Sequence, residues 1–299
     1  MFDFRRAFGV CVAIAMLAGC RGLTAGNVVP TSDAPSSSLP KHRSFYFTGR
    51  AQDFRVPEGV TNISVVARGA KGAGNRVAFG GRVTAVIRVT PGEKLVIYVG
   101  GDASGNTGGF NGGADGGFLR NPYFGYGGGG ASDVRQGGRN LDNRVLVAGG
   151  GGGRGEAGYS YRGGAGGEGG DATGGSGENG PYSGGGGGGG GGTQYSGGSG
   201  GSGGYLDDNP GIDGSLGAGG VGGWGCSTSS CDWGGAGGGG GGGYYGGGGG
   251  GTGSAEGPYG NGGGGGGGGS SYVEPSATKW HMWRGWKNPT HNGLVVISW

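Results

Sequence analysis

Five runs of uninterrupted glycine, at 149–153, 184–192, 237–243, 246–251 and 262–269, limit what this chain can fold into. Glycine gains nothing from side-chain burial and loses more backbone freedom on ordering than any other residue. A folded form of such a tract must offset that loss through backbone hydrogen bonds. A helix does so poorly, at about 1 kcal/mol per residue worse than alanine. Extended three-fold strands of polyproline-II shape do better, because without β-carbons they pack side by side and each N–H reaches a neighbouring carbonyl. At ~3.1 Å per residue, a nine-residue run spans roughly 28 Å. We therefore expect a bundle of polyglycine II helices over residues 149–269, joined by turn-forming Tyr, Ser, Asp, Asn and Pro residues. Composition alone supports the alternative of disorder, since 96 of 299 residues are glycine and no strict Gly-X-Y repeat indicates collagen.

The flanking text reads as all-β. Phe45, Phe47, Phe54 and Val56 punctuate polar residues up to the turn Pro57-Glu58-Gly59. Asn62–Arg68 and Gly81–Val89 alternate, Leu95–Val99 is a buried-type run, Arg144–Ala148 precedes the densest glycine, and Leu294–Trp299 closes the chain. A lone apolar strand at 294–299 needs a sheet to join, and the nearest candidates lie before residue 148. Residues 44–148 and 270–299 are thus expected to form one β-sandwich, with 149–269 inserted into it.

The N-terminus reads as an export signal. Arg5 and Arg6 precede a short apolar run, 7–18, that closes on Leu17-Ala18-Gly19-Cys20. This resembles the lipobox of bacterial lipoproteins, in which the cysteine takes up lipid and becomes the new N-terminus. The resemblance implies a signal peptide over 1–19, lipid on Cys20 as the membrane partner, and a Pro/Ser-rich tether over 20–43. The expected location is the cell envelope, on the outer membrane if the host has two. Two cysteines then remain, Cys226 and Cys231, and in an oxidising compartment a local disulfide is expected. His42, His281 and His291 all lie far from them in sequence, which disfavours a metal site.

Several separated motifs resemble one family. They are Phe54-Arg55-Val56-Pro57-Glu58-Gly59-Val60-Thr61 with Val65–Ala70, and Val89-Thr90-Pro91-Gly92-Glu93-Lys94-Leu95 with Val99-Gly100-Gly101. To these add Gly108–Gly113, then Gly127–Gly130 with Ala131-Ser132-Asp133-Val134-Arg135, then Val147–Gly152, and finally Ser270-Ser271-Tyr272 with Gly293–Ile297. Together they are similar to the glycine-rich domain of the anaplastic lymphoma kinase and leukocyte tyrosine kinase receptors, and of many bacterial surface proteins. The resemblance implies a jelly-roll sandwich like that of tumour necrosis factor carrying a polyglycine II insertion. It also implies a role in extracellular recognition, through loops at the bundle tip as in phage tail-fibre adhesins.

Little in the sequence supports catalysis or a cofactor. Gly197-Gly198-Ser199-Gly200-Gly201 fits a nucleophile elbow only formally, without its strand and helix, and no Gly-Lys-Ser or Gly-Lys-Thr forms a phosphate loop. Asp207-Asp208-Asn209 with Asp213 lacks calcium-loop spacing, and Asp102 and Asp133 read as turn residues. Between 149 and 269 only Arg154 and Arg162 are basic against nine acidic residues, a net charge of −7 that repels nucleic acid. Aromatic residues are the candidates for binding an unidentified protein or glycan: Trp224 and Trp233 flank the cysteines, and Trp280, Trp283 and Trp286 recur every third residue beside Arg284 and Lys287. For the tyrosines between 159 and 259, filling the bundle edges and its seam with the sandwich is the favoured role. The expected protein is a non-enzymatic surface module, structural or adhesive, with an envelope glycan-binding lipoprotein as the alternative.

Overall fold

The computed structural model describes residues 40–76, 78–120, 123–159, 161–205, 209–225, 234–254, 260–287 and 291–299. Cys20, Cys226, Cys231, Trp233, Asp207, Asp208 and Tyr259 therefore lie outside the described residues, as do the signal peptide and most of the tether. Residues from Pro40 to Trp299 form a single compact unit.

Among the described residues, twelve strands run along it: β1 (His42–Tyr46), β2 (Gln52–Arg55), β3 (Asn62–Arg68), β4 (Arg82–Arg88), β5 (Lys94–Tyr98), β6 (Phe118–Arg120), β7 (Tyr123–Phe124), β8 (Ser132–Arg135), β9 (Arg144–Ala148), β10 (Tyr272–Val273), β11 (Thr278–Trp283) and β12 (Leu294–Ser298). One sheet has the order β1-β12-β3-β4-β11 and the other β10-β9-β8-β5-β2; β6 and β7 make a separate hairpin. All pairings are antiparallel, and the two five-stranded sheets enclose one apolar core, so the fold is an all-β sandwich. The last strand, β12, sits between β1 and β3 in the first sheet. Strand β1 starts at His42, two residues inside the span read as tether.

Burial patterns separate the two sheets. In β3, Ile63, Val65 and Ala67 face the core while Asn62 and Ser64 face out, and β4 and β12 alternate likewise. In β8 and β9 every residue is buried, on both faces. The outer face of β8 and β9 is covered by glycine-bearing segments, so their polar side chains must be satisfied internally. Asp133 was expected in a turn and instead lies on β8, where it pairs with Arg135 at 2.7 Å and accepts from Asn111 Nδ2 at 2.8 Å. Arg135 also lies 3.8 Å from the centre of the Tyr98 ring.

The glycine runs are held by a hydrogen-bond pattern that is not a β-ladder. Along 262–270, the N–H groups of Gly263, Gly266 and Gly269 donate to Glu156, Gly153 and Gly150. Those of Gly264, Gly267 and Ser270 donate to Gly251, Gly248 and Tyr245, and those of Gly265 and Gly268 to Glu178 and Gly175. Successive residues thus address three different neighbours and return to the first after three residues. The carbonyls of 261–269 accept from three further segments: from Gly164, Gly167 and Gly170, from Gly235, Gly238 and Gly241, and from Gly186, Gly189 and Gly192. One strand therefore has six neighbours, three antiparallel and three parallel. A β-carbon on Gly264 would stand 1.9 Å from the carbonyl oxygen of Gly187, and one on Gly266 would stand 2.2 Å from that of Gly239. Only glycine fits.

This packing is not confined to 149–269. Gly129 donates to Gly151, Ala114 to Gly240, and Gly117 to Gly237, so segments from the first half of the chain join the bundle. At its periphery the text takes a three-residue period: Arg162, Ala165, Glu168 and Asp171; Ser196, Ser199, Ser202 and Tyr205; Ala218, Val221 and Trp224, each separated by two glycines. Side chains stand where a three-fold strand faces outward, and every one of these is at least partly exposed. Some of the polar residues at the periphery also cap outward N–H groups of the next strand. Asp115 accepts from Gly108 at 2.7 Å, Asn179 from Gly188 at 2.8 Å and Asp213 from Gly200 at 2.7 Å. Part of the acidity of the insertion is thus an edge cap, which leaves fewer free donors for a neighbouring chain to pair with.

Candidate functional site

Strand direction fixes what lies at each end of the bundle. Gly149 follows β9 and Ser271 precedes β10, so those ends abut the sandwich. Gly150 pairs with Gly269 and Glu156 with Gly263, which places residues near 158 and 260 at the opposite end. The same network brings Gly158 and Tyr161, the turn at 179–184, Tyr205 and Trp224 to this far end. The β6–β7 hairpin joins them through Gly225 N–H to the Phe118 carbonyl.

Exposed aromatic side chains gather there. Tyr182 is 69 % exposed, Tyr159 71 % and Trp224 61 %, with Phe118, Tyr123 and Tyr205 also exposed. Tyr161 and Tyr182 set their rings 4.1 Å apart, inclined at 43°, and with Arg162 and Pro181 they bound an open cleft of about 420 Å³. Tyr182 holds a left-handed backbone at φ 69°, which costs a side-chain-bearing residue on the order of 1–2 kcal/mol. Beneath the far end, burial pushes the Glu156 carboxyl above its ordinary range, opposed by Arg154 and by backbone hydrogen bonds from Phe124 and Ala157.

The tyrosines divide by location. Tyr244 and Tyr245 take the seam role expected from the sequence: Tyr244 stacks on Tyr272 at 4.0 Å, Tyr245 meets it edge-on, and Arg144 lies 4.8 Å over its ring. Tyr159, Tyr182 and Tyr205 instead face solvent at the far end. Tyr195, 89 % exposed, stands on the turn at 193–196, by the sandwich.

Trp280, Trp283 and Trp286 do not form one platform. Trp283 and Trp286 lie 5.7 Å apart and both approach the Arg82 guanidinium, at 4.5 and 4.7 Å. His281 packs on Trp283 at 4.0 Å. Trp280 lies in the irregular stretch of β11 between Thr278 and His281 and is exposed. Trp224 sits at the far end of the bundle, away from this group. Arg284 is tied to the Thr173 carbonyl at 2.6 Å. No local sequence signal points to Arg82, because its aromatic neighbours lie some two hundred positions on and meet it only through the β4–β11 pairing.

No family model and no curated protein matches this chain.

Proposed function

We propose that this protein is a non-enzymatic surface module, lipid-anchored through Cys20, that uses the glycine bundle as a rigid stalk to present aromatic loops to a partner. The observation that carries this reading is the gathering of Phe118, Tyr123, Tyr159, Tyr182, Tyr205 and Trp224 at the end of the bundle remote from the sandwich. Exposed aromatic side chains beside polar groups are the usual anchors of recognition surfaces. The three-residue return of the hydrogen bonds and the six-neighbour packing support reading the bundle as polyglycine II, and the two-sheet sandwich supports a jelly-roll like that of the receptor glycine-rich domains. A binding role in the envelope agrees with the lipobox, and adhesion agrees with the loop placement.

The cleft between Tyr161, Tyr182, Arg162 and Pro181 favours a second reading, an envelope glycan as the ligand. Cells displaying the full chain test both. Protease shaving of intact cells should remove the module, and the double change Tyr182→Ala, Trp224→Ala should reduce attachment at least ten-fold while leaving the protein folded and displayed. Undiminished attachment by that variant would remove the far end from the account. Binding to a glycan array, lost in Tyr182→Ala, would select the second reading.

A further inference from the structure

Arg82 opens β4 on the outer face of the first sheet, directly opposite Arg68 on β3. Like charges on facing residues of paired strands repel. Withdrawal from water, and then the Arg68 charge, pull the Arg82 pKa below its ordinary value, and no carboxylate is among the groups acting on it. Its Nε is buried without a hydrogen-bond partner. Among the described residues, its terminal nitrogens make no hydrogen bond or ion pair either. A guanidinium carries five donors, and leaving them unmatched in a partly desolvated place is unfavourable.

What holds Arg82 is aromatic. Trp283 faces it across the β4–β11 pairing, with the ring centre 4.5 Å from the guanidinium carbon. Trp286 reaches it at 4.7 Å, fixed by its backbone N–H donating to the Gly80 carbonyl at 2.8 Å and by a bend at Gly285, φ 60°. With the two ring centres 5.7 Å apart and their planes inclined at 58°, the indoles form two walls of a corner around the cation. They supply cation–π attraction, and Arg82 stays partly exposed. Glu168 lies against Gly285 but makes no ion pair with Arg82. His281 packs on Trp283, and Arg284 and Lys287 adjoin Trp283 and Trp286 along the chain, all three exposed.

We propose that this corner is a binding site for an oxyanion, a carboxylate or phosphate group received by the terminal N–H donors of Arg82, with the Arg68 charge alongside. Such a group would match the planar fork of the guanidinium and cancel the repulsion between the two arginines. The site is separate from the aromatic far end of the bundle and stands whether or not that end binds a partner.

The test uses the intact protein, titrated with sodium glucuronate, inorganic phosphate, glucose and sodium chloride at matched ionic strength. Tryptophan fluorescence and the unfolding midpoint are read together. The expected result is a saturable change with glucuronate, phosphate or both, and none with glucose or chloride. Response to glucuronate alone assigns a carboxylate source, and response to phosphate alone a phosphate source. Arg82→Met keeps an unbranched chain in the corner, should unfold no lower than the parent, and should weaken the response at least ten-fold. Arg82→Lys keeps the charge without the fork and should weaken it by an intermediate factor, so the proposal stays testable if the methionine variant misfolds. No saturable response to either oxyanion, a response equalled by chloride, or full binding by Arg82→Lys and Arg82→Met would overturn it.

Discussion

At the residue scale the bundle divides glycines by what surrounds them. Gly266 has no room for a β-carbon, which would stand 2.2 Å from the Gly239 carbonyl oxygen. Gly266→Ala must push two backbones apart, and overpacking of this kind costs about 1–3 kcal/mol or more. Ser199 stands outward on a peripheral strand, so Ser199→Ala should change stability by less than about 0.5 kcal/mol. Chemical denaturation of both variants checks the contrast, and equal effects would count against the packing. Glu156 supplies a pH test. Its folded-state pKa is raised, so the folded protein holds a proton that the unfolded chain releases. This group therefore lowers stability as pH rises above the ordinary carboxylate range, and the penalty is complete once pH exceeds the folded value. Glu156→Gln should unfold at a higher temperature than the parent at pH 7, and the difference should vanish on acidification below the ordinary range. A variant less stable than the parent at neutral pH would contradict this sign.

At the scale of elements, the joint between sheet and bundle rests on Arg144. Its side chain donates to the carbonyls of Gly243 at 2.9 Å, Tyr244 at 3.1 Å and Leu141 at 2.9 Å, and it is buried. Arg144→Leu leaves those acceptors unmatched. With charged hydrogen bonds worth about 1.5–3 kcal/mol each, thermal unfolding should report a loss of at least 3 kcal/mol. A loss under 1 kcal/mol would show that the joint does not depend on it. The strands differ in how legible they are. β3, β4 and β12 announce themselves by alternation because one face meets water. β8 carries Ser132, Asp133 and Arg135 and reads as polar, because its outer face is covered by a part of the chain that its own four residues do not reveal. β11, an edge strand largely exposed, shows no apolar alternation, so Trp280, Trp283 and Trp286 read as a stripe, whereas only Trp283 and Trp286 come together on Arg82. The glycine runs are legible as segments held by backbone hydrogen bonds to neighbouring segments, while the Gly-Gly-X text around Ala165, Ser199 and Val221, which marks the periphery, is visible only once its three-residue period is sought.

At the scale of the whole molecule, the sandwich and the bundle are a single unit, with strands of the first half of the chain woven into the glycine packing. A scaffold of this kind holds loops without side-chain packing behind them, since backbone hydrogen bonds alone fix its interior. The proposed presentation of Tyr159, Tyr182 and Trp224 depends on that rigidity. Hydrogen–deuterium exchange on the intact protein tests it most directly. The amides of Gly262–Gly269 should exchange as slowly as those of β3 and β12, with the turn residues near Tyr159 and Tyr182 exchanging much faster. Glycine amides that exchange at the rate of an unstructured chain, beside a protected sandwich, would contradict the account.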